Sequence, residues 1–219
     1  AGTPVVYGGS PTLFDMRYAT ARLGAIEAMM TACAGAEIGK YYGLPTHGYL
    51  GLSDSKVVDG QSCFESALGI IMAALTGVNV VSGPGMLVEE NCQSLEKLVI
   101  DDELCAMAYR LLEGIDVDEE TLALDVIEKV GPGGHYLGER HTMKHFRRER
   151  YIPSDVVCRL TIDAWKKAGS KDIITRARER VEKLLREHQP KPMPEERAQA
   201  LEEAVNSIFK RYSLQRPEV

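Results

Sequence analysis

The sequence is short of positive charge, of long apolar runs and of evenly paired cysteines. Lys and Arg number 26 against 32 Asp and Glu, giving a net charge of −6 and a pI near 5.5. Phosphate backbones are bound by basic fields, so this balance argues against nucleic acid as the main partner. No apolar run approaches the ~20 residues that a bilayer-spanning helix needs, which argues against a membrane partner, and no secretory signal is visible. The five cysteines, Cys33, Cys63, Cys92, Cys105 and Cys158, are odd in number and scattered. That pattern reads as reduced thiols in a cytoplasmic protein. There is no internal repeat at the ~20–50-residue periods of solenoids, and no low-complexity segment. The chain starts at Ala1 rather than Met and enters a strand-like run almost at once, so a piece of something longer is expected.

What is present is core-forming material. The chain has 219 residues, 44% of them hydrophobic, enough for one domain or a large part of one. "PVVYGG" (4–9) is a β-branched and aromatic run closed by glycines, so it predicts a buried strand. "YATARLGAIEAMMTACAGAEIGKYYG" (18–43), rich in Ala, Met and Glu, predicts a helix over 18–42 with Gly43 as its stop. "THGYLG" (46–51) predicts a second strand, residues 57–76 a helix ended by Gly77, "NVVSG" (79–83) a third strand, and 89–113 a third helix. This alternation predicts βαβ units with a parallel sheet. Asp118 is placed to cap "EETLALDVIEKV", with Gly131 as its stop. "GPGGHYLG" (131–138) allows a very short fourth strand. Beyond it Ser154 caps "DVVCRLTIDAWKKAG", Ser170 caps "KDIITRARERVEKLLREH", and Pro194 opens "EERAQALEEAVNSIFKRY". Three or four parallel strands leave open edges that soluble proteins normally cover. The size suits half of an eight-stranded (β/α) barrel plus a tail. Residues 1–150 are the expected partial barrel and 151–219 a charged helical region.

In parallel α/β folds the loops leaving the C-terminal ends of strands build the active site. "YGGSPTLFDMR" (7–17), "GYLGLSDSKVVDGQ" (48–61), "SGPGMLVEEN" (82–91) and "GPGGHYLGERHT" (131–142) all combine glycines with polar or aromatic residues. The second is the densest, with Asp54, Lys56, Asp59 and Gln61. Asp54 either contacts a ligand or caps the following helix; Asp59 and Gln61 sit where that helix starts, a position that favours Asp through the helix dipole anyway. His141 and His145 stand at i, i+4, a metal-ligand spacing, yet lack the intervening Glu of metalloproteases and sit among basic residues; no metal is expected. "GPGGHYLG" follows a helix rather than a strand, so it fails the context required of a dinucleotide loop, and "SGPGM" lacks the glycine spacing. "HTMKHFRRER" reads as a solvated helix face, or as a docking patch for an acidic partner.

Several of these stretches occur together in one order. "VVYGGSPTLFDMR", "YYGLPTHGYLGLSDSKVVDGQ", "LEKLVIDDEL", "ETLALDVIEKVGPGGHYLGERHT" and "AWKKAGSKD" resemble the trimethylamine methyltransferase family of corrinoid-dependent enzymes. The resemblance covers almost the whole chain and weakens after about Pro190. It implies the C-terminal half of a TIM-like (β/α) barrel roughly twice this length. It also implies transfer of a methyl group from a methylated amine to Co(I) on a separate corrinoid protein. This sequence has no Asp-x-His-x-x-Gly segment of the kind that ligates cobalamin in such partners, so the cofactor is expected on another chain, with none held tightly here. The trimethylamine enzymes carry pyrrolysine just before the Ser-Asp-x-Lys segment. Here that region reads Gly51, Leu52, Ser53, Asp54, Ser55, Lys56, placing the unusual residue near Leu52, or at Lys56 if a modified lysine is written as Lys. As written, the chain resembles the non-pyrrolysine members, which include glycine betaine demethylases, and a quaternary amine is favoured over trimethylamine. The expected catalytic residues are Asp54 and Lys56. The expected substrate contacts are Tyr7, Tyr49, Gly51, Leu52, Ser53, Asp59, Gln61, His135, Tyr136 and His141. Gly83, Gly85, Met86 and Gly134 are expected toward the corrinoid. Partners would be the corrinoid protein, the N-terminal half of the barrel and a second copy of the chain. The competing readings are another (β/α)-barrel lyase or hydrolase, and a non-catalytic partner-binding fragment.

Overall fold

The computed structural model describes residues 2–215 and 217. Its centre is a three-stranded parallel sheet in the order β1-β4-β5, built from β1 (Tyr7–Gly9), β4 (Thr46–Gly48) and β5 (Val80–Val81). Tyr7 pairs with Thr46 and His47 pairs with Val80, all parallel. Helix α1 (Ile26–Tyr41) connects β1 to β4, and α2 (Gly60–Thr76) connects β4 to β5. Met29 and Ala32 of α1 pack with Ala73 of α2, Leu50 and Val81 in one apolar cluster. Both crossover helices therefore cover the same face of the sheet, as the alternating pattern predicts.

Two predicted helices are shorter than their composition suggests, because hairpins occupy their first turns. Residues 18–25 do not extend α1. They belong to an antiparallel pair, β2 (Leu13–Asp15) with β3 (Thr20–Arg22). The Asp15 carboxylate accepts the Arg17 N–H at 2.9 Å, an Asx-type turn, and Ala19 takes a left-handed φ of 52°. Likewise 89–94 are not helical: β6 (Met86–Leu87) pairs with β7 (Cys92–Gln93) around Val88, Glu89 and Glu90, all with φ between 51° and 73°. Three successive left-handed residues cannot sit in a right-handed helix, so α3 (Leu95–Glu113) starts only after Ser94, whose hydroxyl accepts the Lys97 N–H.

Asp118 caps as predicted, but Ala123 at φ 49° breaks the helix that follows into α4 (Glu119–Leu122) and α5 (Leu124–Val130). The turn after Gly131 forms no strand and leads to α6 (Arg140–His145). Ser154 caps no helix; residues 155–160 are irregular, and Thr161 caps α7 (Ile162–Lys167) instead. Asp172 rather than Ser170 accepts the first N–H groups of α8 (Ile173–Glu187), from Thr175 at 2.8 Å. Pro194 directly precedes α9 (Glu195–Arg211).

The chain packs as two units that divide after Lys183. Val156 and Ala177 join Ile100 of α3 in a second apolar cluster of the first unit. Much of the expected C-terminal helical region thus contributes core to the unit that carries the sheet.

Candidate active site

Leu50 to Ser55, the stretch that leaves β4, is buried residue by residue. The Ser53 and Ser55 side chains are satisfied within the loop and by one residue of α2. Ser53 Oγ donates to Glu65 Oε2 at 2.5 Å, and the Asp54 N–H donates to the same oxygen at 2.9 Å. The Ser55 N–H donates back to Ser53 Oγ, and the Ser55 hydroxyl reaches the Asp59 carboxylate at 3.0 Å. Glu65 is the single charged residue of α2. A lone charge on an otherwise apolar helix was the sequence signal for it, and it was missed.

Asp54 is not the helix cap. That role belongs to Asp59, whose carboxylate accepts the Ser62 N–H at 2.9 Å while Ser62 Oγ accepts the Asp59 N–H. The Ser62 N–H holds the Asp59 carboxyl below its usual pKa. Asp54 instead crosses to the entry of α1, where its Oδ1 accepts the Gly24 N–H at 2.9 Å. With only 7% of its surface exposed, Asp54 has its pKa raised, first by burial and further by the neighbouring Glu65 and Glu89 carboxylates, against the Gly24 N–H. A carboxylate so placed gains from a positive charge brought beside it. Lys56 Nζ donates to the Asp54 carbonyl at 2.6 Å and lies 3.4 Å from Glu89, which also pairs with Arg22.

Between this loop and the β2–β3 hairpin lies an open pocket of about 490 Å³. Asp15, Glu27, Asp54 and Glu65 give it four carboxylates, and Tyr18 gives it an aromatic ring. Arg17, Arg22, Lys56 and Gln61 line it as well. Arg17 is committed to Asp15 and Arg22 to Glu89. Tyr18 already carries both guanidinium groups near its ring, at 5.5 and 5.8 Å.

The loop after β5 joins the same face. The Ser53 N–H donates to the Met86 carbonyl at 3.1 Å, and the Val88 N–H to the Ser55 carbonyl at 3.1 Å. A Cβ on Gly83 would stand 2.3 Å from the Leu50 carbonyl oxygen, so only glycine permits this approach of the two loops. Gly83 is thus packed against backbone, and the Gly85 N–H is engaged by Asp101 at 2.7 Å. Of these two glycines, expected toward a corrinoid, Gly83 packs on the Leu50 backbone and Gly85 on α3.

The sheet separates the remaining candidates. A Cβ on Gly39 of α1 would lie 2.7 Å from both the Tyr7 ring and the Thr46 side chain, so Tyr7 and Thr46 face the helices. His47 faces the other way. It lies 2.7 Å from Ser82 Oγ through Nε2, and its ring meets Tyr49 edge-on at 5.1 Å. His47 and Ser82 are half-buried polar residues that the sequence reading passed over; alternation with the buried Thr46 was the available sign. His135, Tyr136, Gly134 and His141 belong to a segment with other anchors. His141 lies 2.8 Å from the Glu120 carbonyl and stacks on His145, while Lys144 and His145 pair with Glu120. Arg148 pairs with Asp116, and Arg110 in the last turn of α3 bonds the Glu149 carbonyl. None of these bonds reaches the other three loops. Among the described residues no cluster of three or more His, Cys, Asp or Glu is placed to hold a metal ion.

Parallel strands under two crossover helices, with the buried Asp54 on the loop that leaves β4, define a mixed α/β protein. The family described as Trimethylamine methyltransferase (MTTB) matches residues 1–211, and the chain belongs to it. It is 42% identical over 167 residues to a glycine betaine methyltransferase of Desulfitobacterium hafniense strain Y51, covering 76% of this chain and 35% of that protein. It is 36% identical over 215 residues to a trimethylamine methyltransferase MttB of Desulfitobacterium hafniense strain DCB-2, covering 98% of this chain and 43% of that protein. The MttB of Methanosarcina barkeri is 38% identical over 194 residues, 88% of this chain and 38% of its own length. The chain spans about two fifths of the length of these curated relatives.

Proposed function

We propose that the chain forms the C-terminal part of a (β/α)-barrel methyltransferase that takes a methyl group from a methylated amine, glycine betaine-like or trimethylamine, and delivers it to a corrinoid on a partner protein. The observation that carries this reading is Asp54, a buried carboxylate held by the Gly24 N–H at 2.9 Å beside an open pocket. A fixed cation is the partner that such a group lacks. Attraction between unit charges strengthens as water is excluded. Lys56 supplies a positive charge on the same loop, which suits the carboxylate end of a betaine.

A reduced corrinoid would supply the nucleophile, and from a quaternary ammonium such as a betaine the tertiary amine would leave neutral. This chain then has to bind, align and dry the site rather than move protons. Asp54 would hold the ammonium. Glu65 fixes Asp54 and Ser53 through their shared oxygen. The two mutually bonded βα loops keep the pocket wall in place.

The test is methyl transfer by the full-length protein to reduced corrinoid protein, followed by the spectral change of cobalt, across a panel of methylamines and betaines. Asp54→Ala is expected to lose transfer while the fold remains, because the helix cap is Asp59. Retained, near-normal transfer in Asp54→Ala would mean that the cation is held elsewhere. A wild-type protein inactive on the whole panel would sink the methyltransferase reading for this protein.

A further inference from the structure

Outside the pocket, Lys97 and Asp101 are the most deeply buried charged side chains among the described residues. Lys97 and Asp101 stand one turn apart on α3, each side chain 1% exposed, and they pair directly. Taking two charges out of water is costly, and a buried pair often contributes no more stability than apolar side chains of equal size. One carboxylate oxygen, Oδ1 of Asp101, has no hydrogen-bond partner among the described residues, which adds to that cost. Stability alone therefore gives a poor account of the pair.

Its bonds give a better one. Lys97 Nζ donates to Ser66 Oγ at 2.5 Å, and Ser66 Oγ donates to the Gly51 carbonyl at 2.9 Å. Asp101 Oδ2 accepts the Gly85 N–H at 2.7 Å. A single connected chain thus runs from the Gly51 carbonyl through Ser66, Lys97 and Asp101 to the Gly85 amide. Its two ends are backbone atoms of the two loops that meet through Ser53 and Met86. Apolar side chains in place of Lys97 and Asp101 could fill the same volume but could neither hold the Gly85 amide nor bond the Ser66 hydroxyl that holds the Gly51 carbonyl.

We infer that Lys97 and Asp101 are positioning residues, which set the register of the Gly51–Asp59 loop against the Ser82–Leu87 loop from beneath. The inference rests on the proposed function for what the loops do, and on geometry alone for how they are held.

The test uses the full-length protein with the double substitution Lys97→Met and Asp101→Leu, and separately Ser66→Ala. Removing both charges together avoids leaving one buried and unpaired, so the double variant is expected to melt near the wild-type temperature. Amide exchange in the peptide covering 83–88 is expected to quicken by about tenfold or more, since the Gly85 anchor is gone, and in 50–57 by less, since Ser66 still bonds the Gly51 carbonyl but has lost Lys97. Turnover is expected to fall by about tenfold or more with little change in KM, as for misplaced active-site groups. Ser66→Ala cuts only the Gly51 arm, so exchange should quicken in 50–57 and not in 83–88; this variant decides the matter if the double variant does not fold. Wild-type exchange in both segments, or wild-type turnover in a folded double variant, would overturn the inference. Because exchange needs no substrate, it separates this inference from the proposed function: a protein inactive on every amine would fail the second and leave the first to be judged by exchange.

Discussion

At the scale of a single residue, Asp54 ties stability to pH. Burial raises the carboxyl above its ordinary 3.8, so the folded protein holds a proton over a range where the unfolded chain has lost it. Stability from such a group is greatest at low pH and falls as pH climbs from the ordinary value to the raised one, then stays level. Asp54→Asn keeps an oxygen for the Gly24 N–H and has no such decline. The full-length Asp54→Asn protein is therefore expected to gain on wild type across that window and to hold its advantage above it, read from denaturation midpoints at a series of pH values. A difference independent of pH would mean that the folded Asp54 titrates normally. The sequence placed Asp54 in the right loop but left it between ligand contact and helix cap. The path of the backbone, which brings Gly24 beside it, excludes the cap.

At the scale of an element, the caps were legible in part. Gly77, Asp118 and Gly131 end or begin helices where the sequence places them, whereas Ser154 and Ser170 cap no helix and Asp59 rather than Asp54 caps α2. Asp59→Ala should accordingly lower the melting temperature by a few degrees and leave methyl transfer in the folded protein close to wild type. A large loss of transfer without a loss of stability would move Asp59 from scaffold to site. The hairpins were not legible. Residues 18–25 and 89–94 have helical composition, and the turns that exclude a helix use Ala19, Val88, Glu89 and Glu90 in the left-handed region without a glycine to mark them. Lys97 and Asp101 were hidden for a different reason. At i, i+4 on a charged helix they read as a solvated pair, and their burial follows from the tertiary packing of α2 on α3.

At the scale of the whole molecule, the parallel sheet ends in β1 and β5, each bonded to β4 alone among the described residues. Val5, Val6, Phe64, Leu68 and Tyr109 are among the large apolar side chains left exposed. An apolar cavity of about 430 Å³, lined by Val80, Val81, Cys105 and Leu112, lies along the β5 side. Open parallel edges and uncovered apolar surface favour association. The isolated chain is therefore expected to self-associate in light scattering. A monodisperse monomer with one cooperative melt would show that this part is self-sufficient and would weaken the half-barrel proposal.

The register of that sheet also governs how the pocket comes into being. Tyr7 meets Thr46, and His47 meets Val80, so every strand pairing waits for a crossover of more than thirty residues to close. Such closures impose their entropic cost before any non-local contact repays it, and topologies of this kind fold slowly. The Gly24–Asp54 and Ser53–Met86 bonds span the first and second crossovers, so neither exists in a chain that has formed its helices alone. The site consequently exists only once both crossovers have closed.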